Sequence, residues 1–153
     1  MSAFAGIDYD THGVHIVYLF DDRVLWRTIA LEGHDAFDRT RKVWEGMPVR
    51  EHWAKAEIIA IGIEEPQGAQ RATVAKLKAI QGAILSCLPS DLLVNPMVPA
   101  AWRKTVGLPG NASKGDIALF GASRGFMPAS PTQDAYDAYC LALAVKTLTQ
   151  VAA

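Results

Sequence analysis

The chain has 153 residues, half of them hydrophobic and a fifth charged, which suits one folded domain over 1–153 and argues against disorder. A net charge of −1 lacks the strongly basic balance of a simple polyanion binder, and no apolar run reaches the length of a membrane span. The opening MSAFAGIDYD carries neither the basic nor the long apolar segment of a secretory signal, so the expectation is a cytoplasmic protein with no membrane partner. Cys87 and Cys140 lie in apolar helical patterns and read as reduced core residues, not as a disulfide or zinc pair.

In chain order, the first third reads as β. AFAGID (3–8) is a short apolar run ending on an acid, while GVHIVYLF (13–20) and RVLWRTIAL (23–31) are rich in β-branched and aromatic residues. Short turns join the three, which predicts an antiparallel meander. Residues 34–56 read as helical, interrupted at Gly46-Met47-Pro48. AEIIAIGIEEP (56–66) is continuously apolar up to its acids, the pattern of a central strand buried on both faces. Leu77, Ile80, Ile84 and Leu88 form one stripe of a helix over 69–88. DLLVNP (91–96) gives a last strand, parallel to its predecessor by the crossover rule. Helices over about 98–106, 113–123 and 131–150 finish the chain. The last takes Ser130 as its cap, Pro131 in its first turn and Gln133 to close a Ser-x-x-Gln box. The order predicts an α/β fold: a mixed five-stranded sheet, three antiparallel strands then parallel ones, with helices on both faces.

Acids gather at the ends of these elements. Asp8 ends the first strand, Glu64 and Glu65 end the buried strand, and Asp134 and Asp137 share a face at the start of the last helix. Carboxylates from separate elements that meet at one point suit Mg²⁺ or Mn²⁺. Two such ions roughly 3.5–4 Å apart can activate a water and stabilise the leaving oxygen of a phosphodiester. Each acid also has an ordinary reading. Asp8 alone is a turn residue, one of the glutamates a solvated loop start, and Asp134 a complement to the helix dipole. That account covers Asp137 less well, a turn deeper on an increasingly apolar helix. The joint order carries the argument: strand-end Asp, strand-end Glu after a hydrophobic run, then Asp-x-x-Asp on an Ala/Leu-rich helix.

Two stretches are locally basic. Residues 66–82 hold Arg71, Lys76 and Lys78 with no acid; residues 98–126 hold Arg103, Lys104, Lys114 and Arg124 against Asp116 alone. Both suit phosphate-tracking surfaces, although solvated faces are the default. GLPGNASKG (107–115) fails the spacing of a phosphate-binding P-loop, and Ser113 reads equally as a helix cap. Trp102 reads either as a base-stacking residue or as core. His12, His15, His34 and His52 form no recognisable constellation.

With these motifs in place, the sequence resembles the RuvC-like Holliday junction resolvases of the ribonuclease H superfamily over nearly its whole length. GID at 6–8, AIGIEE at 60–65 and DAYDAYCLALA at 134–144 are similar to the family's three acidic motifs, and 95–117 to its Pro, Lys, Gly-turn and second Lys segment. The small size looks like the phage members. The resemblance implies a ribonuclease H-like fold and a Mg²⁺-dependent endonuclease, with Mn²⁺ as substitute and two ions per site. It implies metal ligation by Asp8, Glu64, Asp134 and Asp137, with Glu65 as the alternative to Glu64, and a catalytic or DNA-contact role for Lys114 beside Lys104. Arg71, Lys76, Lys78 and Arg103 would add backbone contacts. The implied partner is branched DNA, a four-way junction cut by a homodimer in recombination or repair to leave 5′-phosphates. The chain departs from the bacterial pattern at Tyr9-Asp10, where Pro-Gly is usual and Asp10 reads as a turn residue, and at Gln67, where the family has an aromatic. The alternatives are a related nuclease acting on structured RNA or forked DNA, a catalytically silent junction binder, and a nucleotide-binding domain of the actin/sugar-kinase type.

Overall fold

A computed structural model describes residues 2–128 and 132–153. Its strands are β1 (Ala3–Tyr9), β2 (Gly13–Leu19), β3 (Val24–Ala30), β4 (Ile58–Glu64) and β5 (Leu93–Met97). Its helices are α1 (Ala36–Gly46), α2 (Arg50–Lys55), α3 (Arg71–Ser86), α4 (Pro99–Thr105), α5 (Lys114–Ser123) and α6 (Gln133–Ala152). The sheet order is β3-β2-β1-β4-β5. β1 pairs antiparallel with β2 and parallel with β4, β2 pairs antiparallel with β3, and β4 runs parallel to β5. This is the mixed five-stranded α/β sheet that the sequence predicts.

The differences are local. The helical stretch before β4 splits into α1 and α2 at Met47-Pro48-Val49, because a proline supplies no N–H to continue the ladder. β4 starts at Ile58 rather than at residue 56. Ala56 caps α2, and Glu57 takes a positive φ of 53° that breaks the strand. Ser130 and Pro131, the expected cap and first turn of the last helix, lie outside the described residues. Thr132 caps α6 instead, its hydroxyl accepting from the Ala135 N–H at 3.3 Å.

Two cores lie on opposite faces of the sheet. The odd-numbered residues of β1 pack with Val14, Ile16, Ile61 and Ile63 against Val43, Trp53, Ile80 and Ile84 of α1, α2 and α3. On the other face Phe4, Val17 and Ala60 meet α6 through Ala138, Leu141 and Val145, with Trp102 of α4 and Ile117 of α5 alongside. β1 is buried along its whole length, since it has a strand on each side and a helical layer on each face.

α6 approaches the sheet unusually closely, and two glycines permit it. Gly6 and Gly62 are register partners across β1 and β4. A Cβ at Gly6 would overlap the carbonyl oxygen of Ala138, and one at Gly62 would stand 2.6 Å from the Leu141 carbonyl oxygen. The helix backbone therefore rests on the bare strand backbones.

Candidate metal centre

Strand parity decides which acids can meet. Alternate residues of a strand face opposite sides, so Asp8 shares the α6 face with Phe4 and Gly6, and Glu64 shares it with Ala60 and Gly62. Glu65 lies toward α3, where its oxygens meet Lys78 Nζ at 3.3 Å and Gln81 Nε2 at 3.3 Å. The close approach at Gly6 sets the height of α6. Two residues onward from Gly6 carry β1 roughly 7 Å to Asp8; four residues back from Ala138 carry α6 about 6 Å to Asp134. The two elements run antiparallel, so these steps go the same way and converge. Asp8, Asp134 and Asp137 each offer a carboxylate oxygen, and the three lie within 4.8 Å of one another.

Glu64 is not in that tight group, but its charge acts on Asp8. Its Oε2 accepts from the indole N–H of Trp102 at 3.1 Å, and its backbone carbonyl accepts from the Tyr9 hydroxyl at 2.9 Å. Trp102 is wholly buried, so it is a core residue whose polar edge holds an acid. Asp10 stands apart. Its Oδ1 accepts from the N–H groups of His12 and Gly13 at 2.6 and 2.9 Å, closing the β1–β2 turn.

Neither a protein-family model nor a curated protein matches the sequence. Solved structures do. The structure of Thermus thermophilus RuvC superposes with a TM-score of 0.77 at 19% identity, covering 98% of this chain and 96% of that one. T. thermophilus RuvC in complex with a Holliday junction substrate gives 0.76 at 17% identity, covering 99% and 96%. The chain has the RuvC fold.

Within this RuvC fold the acids sit where few charges offset them. Asp8 is only 5% exposed. Burial pushes its carboxyl well above the usual range, and the charges of Glu64, Asp137 and Asp134 add to that. Burial raises Glu64 to about 7, with the Trp102 hydrogen bond pulling the other way. Asp137 is raised by burial too, against a 2.9 Å hydrogen bond from the Gln133 amide. Asp134 alone is lowered, first by its contact with His15. A cluster of hard oxygens converging from β1 and α6, with Asp8 and Asp137 held toward their neutral forms by burial, is the donor set that a divalent cation satisfies. Asp8, Asp134 and Asp137 would hold such an ion, with Glu64 at its side.

The structure separates the predicted cations into different settings. Lys114 is the first residue of α5 and exposed, with the capping box of Ser113 and Asp116 fixing the turn before it. Its charge lowers both Asp134 and Asp137. Lys104 is also exposed. Arg103 is not a free surface cation. It packs its guanidinium 5.2 Å from the Trp102 ring centroid and donates to the Gly110 carbonyl at 3.2 Å, and its charge acts on Glu64 and Asp137. Arg71 and Lys76 are exposed on α3, while Lys78 is tied to Glu65.

Sequence reasoning missed His15. Its Nε2 lies 3.3 Å from Asp134 Oδ2. The available signal was register: the tight turn closed by Asp10 and Gly13 pairs Tyr9 with Val14, which sets His15 opposite Asp8.

Proposed function

We propose that this protein is a divalent-metal-dependent endonuclease that resolves four-way DNA junctions, acting as a homodimer of single nuclease domains. One observation carries the reading: Asp8, Asp134 and Asp137 converge within 4.8 Å at the C-terminal end of β1, the central strand of a RuvC-type sheet. The junction-bound form of T. thermophilus RuvC supports branched DNA as the partner. Mg²⁺, or Mn²⁺ in its place, would supply charge neutralisation and the activation of water for in-line attack on phosphorus. The chain's own residues do the rest. Asp8, Asp134 and Asp137 fix the cation on a rigid strand and helix, Trp102 aims Glu64, and Lys114 and Arg103 offset negative charge beside the scissile phosphate. Lys104, Arg71 and Lys76 offer exposed charge to the DNA backbone, with Lys78 joining them on release from Glu65. Two copies related by a two-fold axis would cut two symmetric strands.

The test is incubation with labelled junction, linear duplex and structured RNA, in Mg²⁺ or in EDTA. Paired symmetric cuts in the junction alone, dependent on Mg²⁺, are expected. Tight junction binding without cutting would replace the proposal with a silent binder, and ATP turnover without DNA cleavage would sink both.

Two further outcomes follow. Metal binding requires ionised carboxylates, whereas burial raises Asp8 and Asp137 and pushes the neighbouring Glu64 up to about 7. Mg²⁺ uptake at pH 7 should therefore release protons, and affinity should fall as pH drops from 8 to 6. Calorimetry in two buffers of different ionisation enthalpy measures the released protons; none at pH 7 would contradict the raised carboxylates. Trp102→Phe keeps the packing ring but removes the donor to Glu64. It should slow cleavage by about 10–100-fold while leaving junction affinity in Ca²⁺ unchanged.

A further inference from the structure

The sheet register lines up a row of side chains on the α6 face: Asp8 of β1, His15 of β2 and Thr28 of β3. His15 is 7% exposed, and both of its ring nitrogens are engaged. Nδ1 lies 3.1 Å from Thr28 Oγ1, and Nε2 lies 3.3 Å from Asp134 Oδ2. The next residues on this face of β2, Val17 and Leu19, are apolar and belong to the α6-side core. Packing alone would be served by another such residue at position 15, whereas a buried imidazole needs partners for both nitrogens. Asp134 needs restraint. Its side chain is 37% exposed, and it sits in the first turn of α6, where a carboxylate could otherwise swing toward solvent. Donation from Nε2–H to Asp134 leaves Nδ1 to accept from the Thr28 hydroxyl, a single consistent tautomer.

We propose that His15 is a positioning residue for the metal centre: oriented by Thr28, it holds one oxygen of Asp134 toward the sheet and so presents the other to the cation shared with Asp8 and Asp137. This rests on the metal reading of the acid cluster. It extends that centre to the β2–β3 hairpin, which carries none of the three acidic motifs. His15 itself does not bind the ion. Partners that orient a ligand in this way are typically worth about 10–100-fold in metal affinity.

The test is Mn²⁺ binding to the free protein, followed by electron paramagnetic resonance without DNA, together with the Mn²⁺ concentration that half-saturates junction cleavage. His15→Ala should weaken Mn²⁺ binding by about 10–100-fold and raise the half-saturating concentration by a similar factor, with a much smaller change in rate at saturating Mn²⁺. His15→Gln keeps a donor amide and should recover most of the affinity. Thr28→Ala, on the edge strand, should weaken binding by a smaller factor and carries the test if His15→Ala fails to fold. Wild-type affinity in His15→Ala, or in Thr28→Ala where that variant stands in, overturns the assignment alone. Wild-type protein that binds no Mn²⁺ overturns the metal reading and this assignment together.

Discussion

Asp8→Asn is expected to slow junction cleavage by about a thousandfold or more and, in the same molecule, to raise the melting temperature of the metal-free protein. The first effect follows from the central place of Asp8. It is the buried member of the three converging acids, and a metal contribution of several kcal/mol to the transition state corresponds to roughly three powers of ten. The second follows from proton linkage. Burial and three neighbouring carboxylates hold the folded-state pKa of Asp8 well above 3.8. The folded state therefore binds a proton where the unfolded chain has released it. That contribution to stability is full below the unfolded value and is lost as pH rises through the folded one. Glu64 acts in the same sense between 4.5 and about 7. At neutral pH the aspartate thus costs stability that an asparagine of the same shape does not. Calorimetry in EDTA should show the variant melting higher, with each kcal/mol worth about 2–4 °C at this chain size. Added Mg²⁺ should stabilise the wild type and leave the variant unmoved. A variant that melts lower in EDTA would contradict the picture of an uncompensated acid cluster.

Gly6→Ala is expected to destabilise the protein by about 3 kcal/mol or more, a large share of a total that is typically about 5–15 kcal/mol. The new methyl would overlap the Ala138 carbonyl oxygen and lie 2.5 Å from the Ala142 nitrogen. These are backbone atoms of a hydrogen-bonded helix and cannot rotate aside. α6 must lift or tilt, and Asp134 and Asp137 move with it. Displacing reacting groups by about 1 Å can cost a hundredfold in rate, so cleavage should collapse along with the urea midpoint. Gly82→Ala is the matched control. It lies in α3 with nothing within 4 Å of its missing Cβ, and it should stabilise by about 0.4–1 kcal/mol. Equal behaviour of the two variants would show that α6 does not depend on the bare strand.

The sheet was legible because strand and helix periods are local properties. Three β-rich runs joined by short turns can form little but a meander, and the alternation of βα units after residue 56 calls for parallel strands. The acids were legible as a set because each marks the end of an element. The choice between Glu64 and Glu65 stayed open in the sequence; it separates once α6 is seen to rest on Gly62, because Glu64 continues the parity of Ala60 and Gly62 while Glu65 turns to Lys78. What sequence could not give was contact across elements. Trp102 meets Glu64 from a helix far along the chain, and His15 meets Asp134 through a hairpin register and a helix height that no local pattern states. Arg103 looked like a surface cation beside Lys104, yet an indole neighbour and the Gly110 carbonyl fold it against the protein. Lys78 read as free positive charge until parity turned Glu65 toward it.

β1 is the first strand of the chain and α6 its last helix. A ribosome making this protein extrudes Asp8 long before Asp134 and Asp137. Until the twenty residues of α6 have emerged and settled on the bare backbone at Gly6 and Gly62, the three carboxylates cannot meet, however complete the sheet. Chains that stall or are clipped before α6 therefore keep Asp8 on an assembled sheet but lack the two carboxylates that converge on it.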